Sequence, residues 1–337
     1  MNQFASPMTV AVIIINHNGG DHLMRCLNGL RGQTRRPDRI LLIDNDSQEN
    51  PIVDGEPWLA GVELIRSDVN LGFAAANNQA ALLCADSEWL ALLNPDAVPD
   101  AHWLEELMHA ADTHPEYASF ACRQLNASQP GRLDGAGDAL TRAGRPFRRG
   151  FGAPAESAYG LADEVFSACG AAMLIRRKVF LSLDGFDADF FCYLEDVDLG
   201  YRLRLAGHRC RYIPTAAVFH EGSALTGWRS DFSTYHGHRN LEWVYVKNTP
   251  GWLLALYLPG HLLLLAAAMV RCAQRGQLRV FLKAKADAIR GLTKALQKRR
   301  GIQSSRKASI SDIHQALSPE WRIAPFASGI GFERSSE

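Results

Sequence analysis

None of the seven cysteines stands in a CxxC pair, and their number is odd. A disulfide framework and a structural zinc site are therefore not suggested, and a reducing cytoplasm fits best. No early apolar run reads as a signal peptide. Val10 to Ile15 is short, has no basic residue before it and breaks at Asn16, so it reads as a buried strand. There is no internal repeat, and the net charge is zero. That neutral total hides an asymmetry: from Arg271 to Lys307 about twelve Lys and Arg stand against the single acid Asp287, a segment near +11, while everything before it sums to about −9. Two different surfaces are implied, and no nucleic-acid partner is expected. With 337 residues, 47% hydrophobic and 21% charged, the chain can bury one large core plus an appendage, and wholesale disorder is excluded.

What is present is an alternation of short apolar runs with helical patterns, the signature of βαβ units and a mainly parallel sheet. Strands are expected at Val10–Ile15, Ile40–Ile43, Val62–Ile65, Trp89–Leu93 and Ala118–Ala121. Between them Leu23/Leu27/Leu30, the run Ala74–Ala85 and Leu104/Leu107/Ala111 have helical spacing. Residues 124–160, rich in Gly, Pro, Arg and Ser and without a period, read as a loop region or flap. A second set follows: a strand at Ala171–Ile175, helices at Lys178–Leu183 and Glu195–Ala206, and a strand at Arg209–Ile213.

Several acids sit where such strands end. Asp96, in Asn94-Pro95-Asp96, follows an apolar strand, and ligands of open α/β sheets bind outside the carboxyl ends of strands. Two readings fit those residues alone: a turn, and a carboxylate for a metal and diphosphate. Asp44, followed by Asn45-Asp46-Ser47, is either part of a solvated turn or the acceptor for the N3–H of a pyrimidine. Asn70-Leu71-Gly72 opens the helix that contains Asn77, and Gly72 would let a phosphate approach backbone at the helix start. Glu195-Asp196-Val197-Asp198 opens another helix. Its acids serve the helix dipole or an i,i+4 pair between Asp198 and Arg202; alternatively Asp196 is a general base and Glu195 orients or binds the acceptor. His220 ends a strand as a structural histidine or as a second metal ligand beside Asp96. His236 and His238 are given no ligand role.

In this order, from Val10 to Gly222, the pieces resemble glycosyltransferase family 2. The opening strand through Asn16-His17-Asn18, then Asp44-Asn45-Asp46-Ser47, look like that family's nucleotide-binding start, and Asn70-Leu71-Gly72-Phe73-Ala74 with Asn77 is similar to its next motif. Asn94-Pro95-Asp96 occupies the place of its DXD metal motif, and Gly185-Phe186-Asp187 through Glu195-Asp196-Val197-Asp198 to His220 resembles its acceptor and base region. The resemblance implies a GT-A fold and an inverting hexosyltransferase with Asp196 as base. It further implies Mg²⁺ or Mn²⁺ on Asp96 and His220, and a nucleotide-diphosphate sugar held by Asn18, Asp44, Asp46, Asn70, Gly72, Asn77 and Asn94. Asn94 departs from the motif by replacing its first aspartate, so weaker metal binding is expected. This form with its basic tail resembles bacterial rhamnosyltransferases, implying a dTDP- or UDP-sugar donor and a glycan or lipid-linked acceptor. The rival is a non-catalytic nucleotide-sugar-binding scaffold of the same fold.

A catalytic domain over 1–240 and a helical extension over 241–337 are expected. Gly251–Val270 is uncharged and long enough to cross a bilayer, but Pro259-Gly260-His261 interrupts it. Leu278 to Arg300 reads as one basic amphipathic helix. The expectation is a bent, shallow hairpin plus that helix, holding the protein on the cytoplasmic face of the membrane without crossing it. The alternative is a core helix of a soluble protein.

Overall fold

A computed structural model of the chain describes residues 8–222, 227 and 229–319. Its first half reads β1 (Val10–Asn16), α1 (Gly20–Arg31), β2 (Arg39–Asn45), β3 (Glu63–Ser67), α2 (Gly72–Leu83), β4 (Trp89–Leu93), β5 (Ala97–Pro99), α3 (Trp103–Thr113) and β6 (Ser119–Asn126). Next come β7 (Gln129–Ala136), β8 (Asp138–Leu140), β9 (Pro146–Arg148), β10 (Asp163–Val165), β11 (Ala172–Arg176), α4 (Arg177–Ser182), α5 (Glu195–Leu205) and β12 (Cys210–His220). The chain continues through α6 (Asp231–Asn248), α7 (Gly251–Gln274), α8 (Leu278–Arg290), α9 (Leu292–Ser304) and α10 (Ile310–Ala316).

The sheet has the order β10-β12-β6-β11-β4-β1-β2-β3, with β5 on β12 and β7 on β6. Strands β1, β2, β3 and β4 pair in parallel; β11 lies antiparallel between β4 and β6, and β12 is parallel to β6. Strands β1 to β4, β6 and β12 therefore share one direction, β7 and β11 run against it, and the carboxyl ends of the first set meet the start of β11 on one edge.

Every residue of β1 is buried because both faces of the sheet are covered, which is why it is an apolar run rather than an alternation. Successive side chains still point to opposite faces. Val10, Val12 and Ile14 pack with Leu23 and Leu27 of α1 and Trp103 and Leu107 of α3; Ala11, Ile13 and Ile15 pack with the alanines of α2 and with Leu199 and Leu203 of α5. Truncating one such side chain to alanine costs about 2–5 kcal/mol.

Three expectations change. Residues 124–160 are not one loop: they carry the end of β6, the β7 partner strand and the β8–β9 hairpin. The β6–β7 register shifts on either side of Leu125, so the two-residue period that marks a strand is broken there. Pro259 does not interrupt α7, which is continuous over 24 residues. An interior proline costs a helix roughly 3 kcal/mol. Here the adjoining turn is docked: Gly260 and His261 are buried, and the His261 ring stacks on Tyr245 at 3.8 Å and lies 2.8 Å from the Ala143 carbonyl and 3.1 Å from Glu242. Lastly, Leu278 to Arg300 forms two helices that meet at Gly291, where a Cβ would lie 2.5 Å from the Trp243 ring.

The expected boundary at 240/241 falls inside α6. Beyond it the chain is not a loose appendage, since Leu253 and Tyr257 of α7 and Ile313 of α10 share a core with Tyr201 and Leu205 of α5.

Candidate active site

A cavity of about 300 Å³ opens at the edge where the strand ends meet. Asn70, Gly72, Asn94, Asp96, Glu195, Asp196 and His220 all line it. Residues as far apart in sequence as 70 and 220 are thus brought to one place. Asn18, Asp44, Asp46 and Asn77 are not among the lining residues.

Each of those four has a local task. The Asp44 Oδ1 accepts from Asn16 Nδ2 at 3.1 Å and from the Ser47 hydroxyl at 2.5 Å, bracing the ends of β1 and β2. Asn18 Oδ1 accepts the backbone N–H groups of Gln48 and Glu49. Asp46 accepts from the Gln48 amide and turns the chain with φ +63°. Asn77 is buried and returns its amide to the Phe73 carbonyl one turn back. Sequence motifs pointed to Asp44, but its neighbour Asn45 lines the cavity, bonding Asn70 Oδ1 at 3.0 Å and the Leu71 N–H at 2.9 Å.

Gly72 is required by a close approach. Its φ is +77°, and a Cβ would fall 2.5 Å from the Phe191 ring. That contact seats the turn before α5, where Phe191, Tyr193 and Leu194 all have positive φ, a conformation costing bulky residues about 1–3 kcal/mol each. The turn is held by Asn240, whose buried amide nitrogen lies 2.7–3.0 Å from the carbonyls of Phe190, Cys192 and Tyr193. The strain delivers Glu195 and Asp196 to the cavity wall. Asp196 accepts the N–H groups of Gly170 and Val197, both at 2.8 Å. Glu195 is buried, and its Oε2 meets no hydrogen-bond donor among the described residues. Burial, then the charges of Asp196 and Asp198, hold its carboxyl well above the usual range. Asp198 faces away and is the ion-pair residue: it lies 2.7 Å from Arg202 and 2.8 Å from the buried Lys247.

On the opposite wall, β5 pairs with β12 and sets His220 across from Ala97, next to Asp96. His220 Nδ1 lies 2.7 Å from Asp134 Oδ2, and Asp134 is also paired with Arg148. The other ring nitrogen lies 3.5 Å from Asp96 Oδ1, a buried atom with no hydrogen-bond partner among the described residues. Burial opposes a charge on the ring, but Asp96 and Asp134 outweigh it and push the imidazole up to about 9. These residues fit a divalent cation. Asp134 holds a proton on Nδ1, so a cation that displaced the second proton would find Nε2 and the Asp96 oxygen 3.5 Å apart as one nitrogen and one ionised oxygen, the arrangement of a carboxylate-oriented histidine ligand.

The ligand atoms of Asp138, Cys169 and Asp196 also lie within 4.8 Å of one another. There the positive charge is already supplied, because the Arg148 guanidinium is 3.4 Å from Cys169 Sγ. Burial, then the Asp196 charge, pushes Asp138 up to about 8. Asp134, Asp138, Arg148 and Asn240 were all missed from sequence. The only available signal for the first two was the pair of acids four residues apart in Asp134-Gly135-Ala136-Gly137-Asp138.

Comparison with known proteins bears on this geometry. The family model described as Glycosyl transferase family 2 matches residues 11–183, ending before α5 and β12. The chain is 29% identical over 307 residues to N-acetylglucosaminyl-diphospho-decaprenol L-rhamnosyltransferase of Mycobacterium tuberculosis, covering 81% of this chain and 96% of that protein. It is 27% identical over 228 residues to the rhamnosyltransferase WbbL of Escherichia coli K12, covering 63% of this chain and 83% of that one. Among solved structures it resembles GalNAc-T7 with UDP, GalNAc and Mn²⁺, with a TM-score of 0.54 and 17% identity, over 70% of this chain and 51% of that one. This chain therefore spans about half that structure's length, and at such identity the likeness speaks to fold alone, which is the GT-A fold. With the family model matched across more than half of its residues on that fold, the chain belongs to glycosyl transferase family 2.

Proposed function

We propose that the protein is an inverting, metal-dependent glycosyltransferase that moves rhamnose from a dTDP- or UDP-linked donor to a hydroxyl of a lipid-linked or cell-surface glycan. One observation carries the reading: Asp196 from α5, Asp96 from the turn between β4 and β5 and His220 from the end of β12 line the same cavity. The names of the rhamnosyltransferase relatives support the sugar, and the name of the mycobacterial one supports a lipid diphosphate acceptor. Asp96 and His220 would hold Mg²⁺ or Mn²⁺, whose positive charge offsets the charge of the departing diphosphate. Asp196 takes the proton of the acceptor hydroxyl while that oxygen bonds to the anomeric carbon. The diphosphate oxygen leaves from the opposite face with the bonding electron pair, so one displacement inverts the centre. Glu195, which lines the same cavity, hydrogen-bonds to the acceptor and orients it. The nucleotide lies along Asn45, Asn70, Gly72 and Asn94, with Asp44 Oδ2 left for the pyrimidine N3–H; Asn18, Asp46 and Asn77 shape the loops around it.

The test is a panel of nucleotide sugars with a prenyl-diphosphate-linked sugar acceptor, reading release of nucleoside diphosphate. Release should be greatest with dTDP-rhamnose, require the acceptor and cease in EDTA. Donor binding with no release under any condition would instead support the scaffold reading.

The same proposal places the protein on the cytoplasmic membrane surface. One face of α7 is docked to the body, while Trp252, Leu256, Leu263 and Val270 are exposed, and Leu282 and Ile289 of α8 extend the apolar surface. A patch of this kind marks an interaction surface, and a helix with one face against protein suits a position in the membrane plane better than a span. The cations contribute less than their number suggests. Lys285 turns inward onto Glu242 and the partly buried Lys298 pairs with Asp187 and Asp189, while Lys294, though paired with Asp189, stays exposed along with Arg279, Lys283, Arg290 and Arg300. Leu263→Glu with Val270→Glu should reduce flotation with anionic vesicles at least about tenfold, each lost apolar contact being worth about 1.5–3 kcal/mol. Recovery of the wild type entirely in the soluble fraction of cells, without salt or detergent, removes the membrane from the proposal.

A further inference from the structure

Three acids that line the cavity have a buried carboxyl oxygen with no hydrogen-bond donor among the described residues: Asp96, Glu195 and Asp138. In the proposed function the first meets a metal and the second the acceptor, and Asp138 has no task. A buried carboxyl oxygen left unpartnered costs stability, so its presence calls for a ligand or a structural reason. The backbone, not the side chain, fixes where Asp138 lies. Its N–H donates to the Ser167 carbonyl at 2.9 Å, its carbonyl accepts from the Phe166 N–H at 3.1 Å, and Arg148 faces it across the β8–β9 pair. The segment that pins Asp138 also holds Asp196: three residues beyond Ser167, the Gly170 N–H donates to Asp196 Oδ2 at 2.8 Å. Helix α5 comes this close because Gly200, one turn beyond Asp196, lies against Ser167, where a Cβ would fall 2.2 Å from the serine side chain. Cys169 stands on the same segment, and one ligand atom from each of Asp138, Cys169 and Asp196 lies within 4.8 Å of the others. With the Arg148 guanidinium 3.4 Å from Cys169 Sγ, positive charge is present there without a metal.

We propose that Asp138 binds the hydroxyl next to the one that Asp196 deprotonates, so that the acceptor sugar must present two free hydroxyls on adjacent ring carbons. This rests on the reading that Asp196 is the base and the acceptor a lipid-linked sugar, and it adds which part of that sugar is recognised. The physical reason is pairing. Two carboxyls held side by side match two adjacent hydroxyls of one ring, each donating to its own oxygen. A hydroxyl without a neighbour would satisfy Asp196 and leave Asp138 unpaired in the cavity wall. Sites built to bond a substrate hydroxyl reject the analogue that lacks it, because the buried partner is then stranded. Asp138 would thus decide specificity, and Asp196 the chemistry.

The experiment measures kcat/KM of the full chain with prenyl-diphosphate-linked N-acetylglucosamine, the sugar in the name of the mycobacterial relative, and with analogues that each lack one hydroxyl. The linkage in the parent product identifies the reacting hydroxyl. Loss of the ring hydroxyl beside it should cost the wild type about 100-fold or more, but Asp138→Ala no more than about threefold, because the variant has no partner left to strand. Loss of the exocyclic hydroxyl should change neither protein by more than about threefold. Asp138→Asn, which keeps an acceptor oxygen, should retain most of the discrimination, and dTDP·Mn²⁺ affinity should stay within about twofold in both variants. No penalty in the wild type, or an equal penalty in wild type and Asp138→Ala, overturns the proposal. So does weaker dTDP·Mn²⁺ binding in Asp138→Ala, which would give the residue to the donor. Loss of a bound Mn²⁺ in that variant, read by electron paramagnetic resonance, also overturns it by giving the three ligand atoms to a second cation. The analogues challenge the wild type directly, so a variant that failed to fold would leave the test standing. Absence of transfer to the parent acceptor by the wild type is a separate result: it removes the lipid-linked acceptor, and the Asp138 subsite falls with it.

Discussion

Asp196→Asn should lower transfer by about 10²–10⁴-fold, the usual contribution of a positioned general base, while donor affinity stays within about twofold. The carboxylate enters the cavity from the first turn of α5 with its two oxygens on the N–H groups of Gly170 and Val197. An asparagine can accept from only one of them, leaving the other facing an amide. That local loss is on the order of 1–3 kcal/mol and falls on stability rather than on the donor. The two effects separate cleanly: a lower melting temperature reports the backbone bond, and turnover at saturating donor reports the proton acceptor. Turnover close to wild type in Asp196→Asn removes this residue as the base.

Asp96→Ala should weaken Mn²⁺-dependent donor binding about 100-fold or more, and His220→Ala about 10-fold, with no difference among the proteins in EDTA. An ionised oxygen contributes more to a hard cation than a neutral nitrogen does. Asp134→Asn supplies a third arm. Its side chain touches the ring nitrogen that points away from Asp96, so it can act only by fixing the ring and its proton, and loss of such an orienting carboxylate typically costs 10–100-fold in metal affinity. Mn²⁺ affinity read by electron paramagnetic resonance, without donor or turnover, distinguishes this positioning from a general loss of activity. Donor binding that is equal in wild type, Asp96→Ala and His220→Ala, with or without metal, would falsify the shared site.

Much of the fold was legible because its information is local. A strand covered on both faces must be apolar throughout, and β1 and β4 announced themselves that way. The strand-end residues Asp96 and His220 were legible for a related reason: the carboxyl edge of a largely parallel sheet is where the cavity forms, and both line it, whereas Asp44 and Asp46 at another strand end do not. The strand β7 was not legible, because the register shifts beside Leu125 destroy the alternation that reveals a strand, and with it went Asp134, which meets His220 across 86 residues. Asn240 was equally hidden: nothing near it in the chain signals that its amide gathers three carbonyls about 50 residues away.

The tail shows the same division most sharply. Composition alone established a long apolar segment followed by a basic one, and hence two unlike surfaces. Which side chains form those surfaces depended on partners distant in sequence. Pro259 stays within a helix because Gly260 and His261 dock on α6 and the 143 loop, and Lys298 is drawn inward because Asp187 and Asp189 lie within its reach. Period, propensity and strand-end chemistry are properties of neighbouring residues, so the sequence by itself determined the elements, the edge at which a site would form and the acids displayed there. The orientation of His220, the strained turn that presents Asp196, and the face of α7 left uncovered are set by contacts between remote residues, and only the packed tertiary structure decided them.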